Sequence, residues 1–196
     1  MPEFKIQNTQ VPREKLEESV VRAVASALEL EPEEVNLDSS LQHNLGAESL
    51  DYLDIAFTIE REYKVHFPRE DLLRRAGEHF GESNLVEGNI VSDLGLRMLR
   101  AAMPEIDPTV LKPGLLAHQV PGLFTVDTFV RVLDRLLYAK EEMSRECPEC
   151  GGELRASDSL PEFECAKCGA TLPYPSGDNV MFEELIRLSD TGEAAK

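Results

Sequence analysis

All four cysteines of this chain fall in two CxxCG units, Cys147-Pro148-Glu149-Cys150-Gly151 and Cys165-Ala166-Lys167-Cys168-Gly169. Fourteen residues, 151 to 164, separate the pairs. In each unit two thiolates can wrap one metal while the glycine permits the tight turn that follows. Four thiolates suit a closed tetrahedral structural site, with zinc favoured over iron. Two other chemistries are weighed against this. Disulfide frameworks in secreted domains rarely place every cysteine in adjacent CxxC pairs. A redox dithiol needs one pair beside a βαβ pattern, and none is present. No fifth ligand is evident, so a catalytic metal is not expected. The segment between the pairs, around Glu153-Leu154-Arg155 and Glu162-Phe163-Glu164, reads as short antiparallel strands. So small a piece cannot hold itself by burial alone, and the metal supplies its folding energy.

The rest of the 196-residue chain is long enough for a medium helical domain. With 37 acids against 20 bases, the net charge is −17. Such a chain repels phosphate backbones, so nucleic acid is not an expected partner. Proteins with basic docking patches are. No stretch approaches 18 apolar residues, so no membrane span is expected. The start, Met1-Pro2-Glu3-Phe4-Lys5-Ile6, lacks a signal pattern. A cytoplasmic location is the resulting expectation.

Pro12 to Leu30 reads as a helix, with Leu16, Val20, Val24 and Leu28 on one stripe. Residues 31 to 48 form a loop in which Val35, Leu37, Leu41 and Leu45 are apolar enough to reach the core. A second helix runs from about Ser49 to Tyr63. Leu50, Leu53, Phe57 and Ile59 are expected inward, and Asp51, Asp54, Glu60 and Glu62 outward. Pro68 opens a third helix, Arg69 to about Ala76. Residues 77 to 121 are broken repeatedly by glycine and proline, yet are too apolar for a disordered linker. They are expected to be an ordered insertion with one helix, about Ser92 to Met103, and a packed turn around Leu115, Leu116 and Val120. Thr125 to about Met143 forms the last long helix, capped by Thr125 or Asp127. After Gly177 a helix with Met181, Leu185 and Leu188 on one face could pack back on the cysteine module, and Thr191 to Lys196 is expected to fray. His43, His66, His79 and His118 sit in unrelated contexts and read as surface or packing residues. His43, six residues before Ser49, is the one expected near it.

The run Asn44-Leu45-Gly46-Ala47-Glu48-Ser49-Leu50-Asp51 puts a serine where a loop becomes an acidic helix. No His or Lys stands beside it in sequence to make it a nucleophile. A bare helix cap is the plain alternative. With the first helix, the loop Asp38 to Gly46, the helix through Ile59-Glu60-Arg61-Glu62-Tyr63, Phe67-Pro68 and the closing Phe124-Thr125-Val126-Asp127, the run resembles the acyl carrier proteins. The cysteine module resembles a zinc ribbon. The resemblance implies a mainly α chain: an acyl-carrier-like four-helix bundle over 1–144 with a helical insertion at about 77–121, a small β zinc ribbon at 145–175, and a tail at 176–196. It implies 4′-phosphopantetheine on Ser49 through a phosphodiester, and Zn on Cys147, Cys150, Cys165 and Cys168. Glu48, Asp51, Asp54, Glu60 and Glu62 become candidate docking residues. The partners would be a phosphopantetheinyl transferase and acyl-loading and acyl-transferring enzymes. The implied role is non-catalytic: a specialised acyl carrier for fatty-acid, lipid or secondary-metabolite biosynthesis. The alternative is a protein-interaction module with a carrier-like fold and ribbon but no prosthetic group. The chain departs from the family in three places. Glu48 stands where Asp is usual, Arg61 interrupts an acidic stretch, and the connection before the last helix is much longer. The insertion is expected to lengthen or cover the acyl pocket.

Overall fold

The computed structural model describes residues 9–81 and 85–190. Helix α1, Arg13–Leu28, starts behind Pro12 and buries Leu16, Val20, Ala23 and Val24. It stops at Glu29, which takes a left-handed conformation while the Leu30 N–H returns to the Ala25 carbonyl at 2.9 Å. The loop that follows is anchored by Leu41, which is fully buried, and by backbone bonds to the start of the last bundle helix. Leu41 N–H donates to the Phe124 carbonyl at 3.0 Å, and Val126 N–H to the Ser39 carbonyl at 3.1 Å. Helix α2, Ser49–Tyr63, follows the loop.

The inward face of α2 differs from the sequence expectation. Ile55, Ala56 and Ile59 are buried, with Tyr52 and Tyr63 packed beside them. Leu50, Leu53 and Phe57 are 76%, 41% and 57% exposed. The helix carries apolar residues on two faces, so periodicity alone could not say which one the bundle takes; only Ile59 of the expected set is in the core.

Helix α3, Leu72–Phe80, begins three residues later than expected and ends later. Asp71 is its cap, accepting from the N–H groups of Leu73 (2.9 Å) and Arg74 (3.1 Å). The N–H groups of Arg69 and Glu70 instead donate to Asp178 Oδ1, both at 2.8 Å, which holds those two residues out of the helix.

The insertion has a small antiparallel hairpin, β1 (Val86–Glu87) and β2 (Ile90–Val91), turned at Gly88-Asn89 with φ of +67° at the glycine. Helix α4, Asp93–Ala102, is capped by the Ser92 hydroxyl, which accepts from Gly95 N–H at 3.1 Å. A 3-10 turn at Ala117–Leu123 leads into α5, Val126–Glu141, capped by Thr125 as expected. The insertion builds a core of its own from Leu85, Leu96, Leu99 and Leu111, which takes Leu73 and Ala76 from α3.

The ribbon is a three-stranded antiparallel sheet in the order β3 (Leu154–Ala156), β4 (Glu162–Cys165), β5 (Thr171–Pro173). Its core is Phe163, fully buried, edge-on to Tyr174 at 4.7 Å and roofed by the Arg145 guanidinium at 4.1 Å. Helix α6, Gly177–Asp190, packs chiefly on α3, α4 and α5, and not back on the ribbon as the sequence suggested. Met181 enters the bundle core and Leu185 the insertion core, so α6 staples the two together. The Leu188 side chain and Thr191 to Lys196 lie outside the described part. The chain is therefore mainly α with a small β ribbon, as the sequence indicated.

Gly177 is where the ribbon hands over to α6 and crosses the Phe67-Pro68 segment. A Cβ there would overlap the Pro68 nitrogen and the His66 carbonyl, both backbone atoms with little room to give. Gly177→Ala is expected to cost about 1–3 kcal/mol by overpacking. For a chain of this size that is a fall in Tm of roughly 2–4 °C per kcal/mol, readable by thermal melting. An unchanged Tm would show that the crossing relaxes freely.

Candidate functional site: the serine at the head of helix α2

Ser49 is the first residue of α2, and Glu48 is the N-cap. The Glu48 N–H donates to Asp51 Oδ2 at 2.7 Å, closing the first turn without the serine. Ser49 is exposed and its hydroxyl makes no hydrogen bond among the described residues. The helix-cap alternative is thereby answered: the cap belongs to its neighbours. The unpaired N–H groups of the first turn and the helix dipole both favour a phosphate at this position.

Ser49 borders an open cleft of about 620 Å³ with Gln42, Glu48, Leu50, Tyr52 and Pro121 on its walls. Tyr52 and Pro121 also line a second, more enclosed cavity of about 460 Å³, so the two spaces adjoin. The buried Tyr52 hydroxyl stands near the Gln42 backbone without completing a hydrogen bond. The second cavity has mainly apolar walls: Leu53 and Ala56 of α2, Phe67 between α2 and α3, Met103 and Val120 of the insertion, and Phe129 of α5. A tethered chain with amides along it and an apolar end fits this arrangement: a free hydroxyl at a helix start, an open cleft holding an unsatisfied donor, and an apolar cavity beyond.

Of the acidic residues singled out in the sequence, Glu48 and Asp54 are exposed. Asp51 is committed to the helix cap. Glu60 accepts from Phe67 N–H at 2.7 Å and pairs with Arg69 at 2.7 Å. Glu62 pairs with Arg22 at 3.0 Å and accepts from Ser19 Oγ at 2.9 Å. Periodicity missed the exposed apolar row Leu50, Leu53, Phe57 that runs from the serine along the same helix.

Glu105, Arg131 and Arg135 also line the second cavity. Burial pushes the Glu105 carboxyl up from its usual range, while its own backbone N–H, the Thr128 hydroxyl and Arg131 pull it partly back. Burial likewise pulls Arg135 down, against the nearby Glu184. The histidines do not gather. His43 lies against Gly122 beside the cleft, His79 is edge-on to Phe80 and Phe182, and His118 meets Asn89 at 3.1 Å.

In the ribbon the four sulfurs lie within 4.8 Å of one another. Cys147 and Cys168 Sγ are 3.7 Å apart, and Cys150 and Cys165 Sγ 3.6 Å, with no disulfide formed. A tetrahedral metal with bonds of about 2.3 Å separates its sulfurs by about 3.8 Å, close to the spacing of these two pairs, so the four sulfurs form a set that could hold one ion. Backbone N–H groups of Cys168 and Lys167 hold Cys165 down at about 6. Cys168 is pushed up to about 12; the Ala170 N–H lowers it, but the sulfurs of Cys150, Cys165 and Cys147 outweigh that. Four crowded thiols resist carrying four charges unless a cation sits among them.

Residues 18–76 match the family model of the phosphopantetheine attachment site. That segment, from within α1 through Ser49 into α3, is a phosphopantetheine-binding domain of the acyl carrier kind. Proteins with this domain carry their cargo on the prosthetic arm, are generally non-catalytic, and meet a phosphopantetheinyl transferase and acyl-handling enzymes. The insertion, α5, the ribbon and α6 lie outside the match. No solved structure matches the chain. Among the described residues, no helix is long and apolar enough to cross a membrane.

Proposed function

We propose that this protein is a specialised acyl carrier for fatty-acid, lipid or secondary-metabolite biosynthesis. It takes 4′-phosphopantetheine on Ser49, holds acyl groups as thioesters and passes them between partner enzymes in the cytoplasm. The observation that carries the reading is the unbonded, exposed Ser49 hydroxyl at the head of α2, opening on a cleft that adjoins an apolar cavity. When bound, the arm supplies a thiol for thioester chemistry. The chain's own residues offer a phosphate-friendly helix start, a cleft for the arm, and walls that exclude water from the cargo. No catalytic residue is assigned. Residues 1–144 with α6 form the carrier body. The ribbon of 145–175 holds one zinc on Cys147, Cys150, Cys165 and Cys168 and has a structural role.

Docking falls on the outer face of α2. Leu50, Leu53 and Phe57 form its apolar centre, Glu48 and Asp54 its free charges, while Asp51, Glu60 and Glu62 act mainly within the fold. Apolar contacts set how tightly partners are held, and the rim charges set how fast they arrive. The test is an intact mass after incubation with coenzyme A and a broad-range phosphopantetheinyl transferase. A gain of one arm, mapped to the Ser49 peptide, is expected. No gain there, together with unmodified protein from the native host, would overturn the reading.

A narrower prediction follows for Leu50, which is 76% exposed. Leu50→Ala is expected to leave stability within about 0.5 kcal/mol. The transferase kcat/KM is expected to fall about tenfold, the loss typical of a central apolar anchor. An unchanged kcat/KM would remove Leu50 from the docking face.

A further inference from the structure

The outer row of α2 does not stop where the helix does. Leu50, Leu53, Phe57 and Lys64 recur at intervals of three, four and seven residues, which keeps all four on one face. Lys64 closes the helix in a left-handed conformation, and its ammonium group reaches the ribbon. It donates there to the carbonyls of Ser157 (3.3 Å) and Asp158. The loop 157–161, between β3 and β4, is therefore fixed at the C-terminal end of the row. At a rise of 1.5 Å per residue, Lys64 lies about 22 Å along the axis from Ser49.

That loop holds out a leucine. Leu160 is 53% exposed. Ser157 is buried, and its hydroxyl accepts from the N–H groups of Ser159 (3.4 Å) and Leu160 (3.3 Å). The Leu160 carbonyl accepts from Glu162 N–H at 2.9 Å, and the Pro161 carbonyl from Tyr174 N–H at 2.9 Å. A single exposed leucine is ordinary on a protein surface. This one stands on a loop tied on both sides of it, so a partner that covers it has less ordering entropy to overcome.

Two arguments join Leu160 to the row on α2. The first is reach. A standard interface covers about 800 Å² on each side, roughly 30 Å across if round. An enzyme docked on α2 with a footprint of that size, and reaching Ser49, extends past Lys64 to the loop. The second is composition. Leu50, Leu53, Phe57 and Leu160 are exposed and apolar, and the charged residues Glu48, Asp54, Arg61 and Asp158 are exposed on the same two elements. Apolar anchors among rim charges are the anatomy of a protein-binding surface.

We infer that the ribbon is part of the docking surface. The enzyme that loads or removes the cargo sits across α2 and loop 157–161, taking Leu50 and Leu160 into two separate apolar pockets. It places cations opposite Glu48 and Asp54 and a carboxylate opposite Arg61. The inference rests on the reading of α2 as the docking face and extends it. The row near Ser49 serves every enzyme that handles the arm, and Leu160 adds the contact that selects this carrier's own acyl-handling enzyme.

The test uses the full-length protein carrying its arm, with intact mass confirming the gain at Ser49. A photoreactive benzoylphenylalanine replaces Leu50 in one sample and Leu160 in another, and each is irradiated in an extract of the native host. The same enzyme, one that forms or cleaves acyl thioesters, is expected to be caught from both positions. With that enzyme purified, Leu160→Ser is expected to lower its kcat/KM for the arm-bearing protein about tenfold at unchanged Tm, the loss of one apolar anchor. Thioester enzymes caught from Leu50 and never from Leu160 overturn the inference, and so does an unchanged kcat/KM. A cross-link from Leu160 to a second copy of this chain also overturns it, because the loop then serves self-association. The cross-linking comparison stands even if Leu160→Ser fails to fold. An extract that yields no such enzyme from Leu50 sinks the docking reading of α2 together with the inference. Failure to gain the arm sinks the carrier reading itself.

Discussion

Ser49→Ala protein should fold as the wild type does and gain no mass from coenzyme A and a phosphopantetheinyl transferase. The loss is expected to be complete, because the phosphodiester needs the hydroxyl oxygen. The fold should not notice the change. Among the described residues the hydroxyl takes part in no hydrogen bond, the residue is exposed, and the cap of α2 is made by the Glu48 N–H and the Asp51 carboxylate. Alanine is also the better helix former, by a few tenths of a kcal/mol. The melting temperature should therefore stay level or rise slightly. This pairing of a total functional loss with a null structural effect separates a modification site from a cap. A true N-cap serine would cost about 1 kcal/mol on the same replacement. Two outcomes would count against the assignment: an arm still gained by the variant, placing the attachment elsewhere, or a clear fall in Tm. Glu48→Asp is the informative companion. It keeps the charge and removes one methylene from the residue beside the attachment point, so any change in transfer rate at unchanged Tm reports on the transferase's fit.

The parts of this molecule legible in its sequence are those written in local spacing. Helices α1, α2 and α5 follow from apolar recurrence and from caps at Pro12 and Thr125, and the structure places them within a few residues of expectation. The cysteine cage follows from two CxxCG units. What was not legible depends on contacts between distant segments. The sequence does not tell the outer row of α2 from its inner one, because Leu50, Leu53 and Phe57 are as apolar as Ile55, Ala56 and Ile59, and only the packing of α1 and α5 decides between them. The start of α3 is not written locally, because the residue that holds Arg69 and Glu70 out of the helix is Asp178, over a hundred positions away. The Gly88-Asn89 hairpin carries a turn signal that the neighbouring glycine and proline breakers mask. The cavity had none: its walls come from α2, the insertion, α5 and α6, and Arg135 looks in sequence like any charged residue on a helix.

Stripping the metal from the ribbon should unfold residues 145–175 and leave the helical bundle standing. Four-thiolate zinc contributes an apparent 10–16 kcal/mol to folding in isolated modules, more than a sheet of this size can replace. The apolar core available to it is Leu154, Phe163 and Tyr174 with the cysteines themselves. The bundle core draws on α1, α2, α5 and Met181 of α6 and takes nothing from the ribbon. The effect should still reach past the ribbon at one point. Lys64, held in a left-handed conformation just after α2, donates to the carbonyls of Ser157 (3.3 Å) and Asp158. Lys140 lies over the Tyr174 ring at 4.4 Å and donates to the Tyr63 carbonyl at 3.3 Å. Metal loss releases Lys64 and takes the Tyr174 ring away from Lys140, so the last turn of α2 should exchange its amides faster while its first turn, at Ser49, does not. Chelation followed by hydrogen exchange and thiol titration reads all of this: four reactive thiols, loss of protection over β3, β4 and β5, and a graded loss along α2. Persistent protection of the ribbon with four reactive thiols would mean that the metal is not what folds it. Helix α6 is the discriminating segment, because it begins directly after the ribbon at Gly177. Asp178 ties its first turn to the N–H groups of Arg69 and Glu70, and Leu185 is buried in the insertion core. It should therefore stay protected when the ribbon melts, and its exchange would show whether the ribbon merely hangs from the body or holds the cavity wall in place.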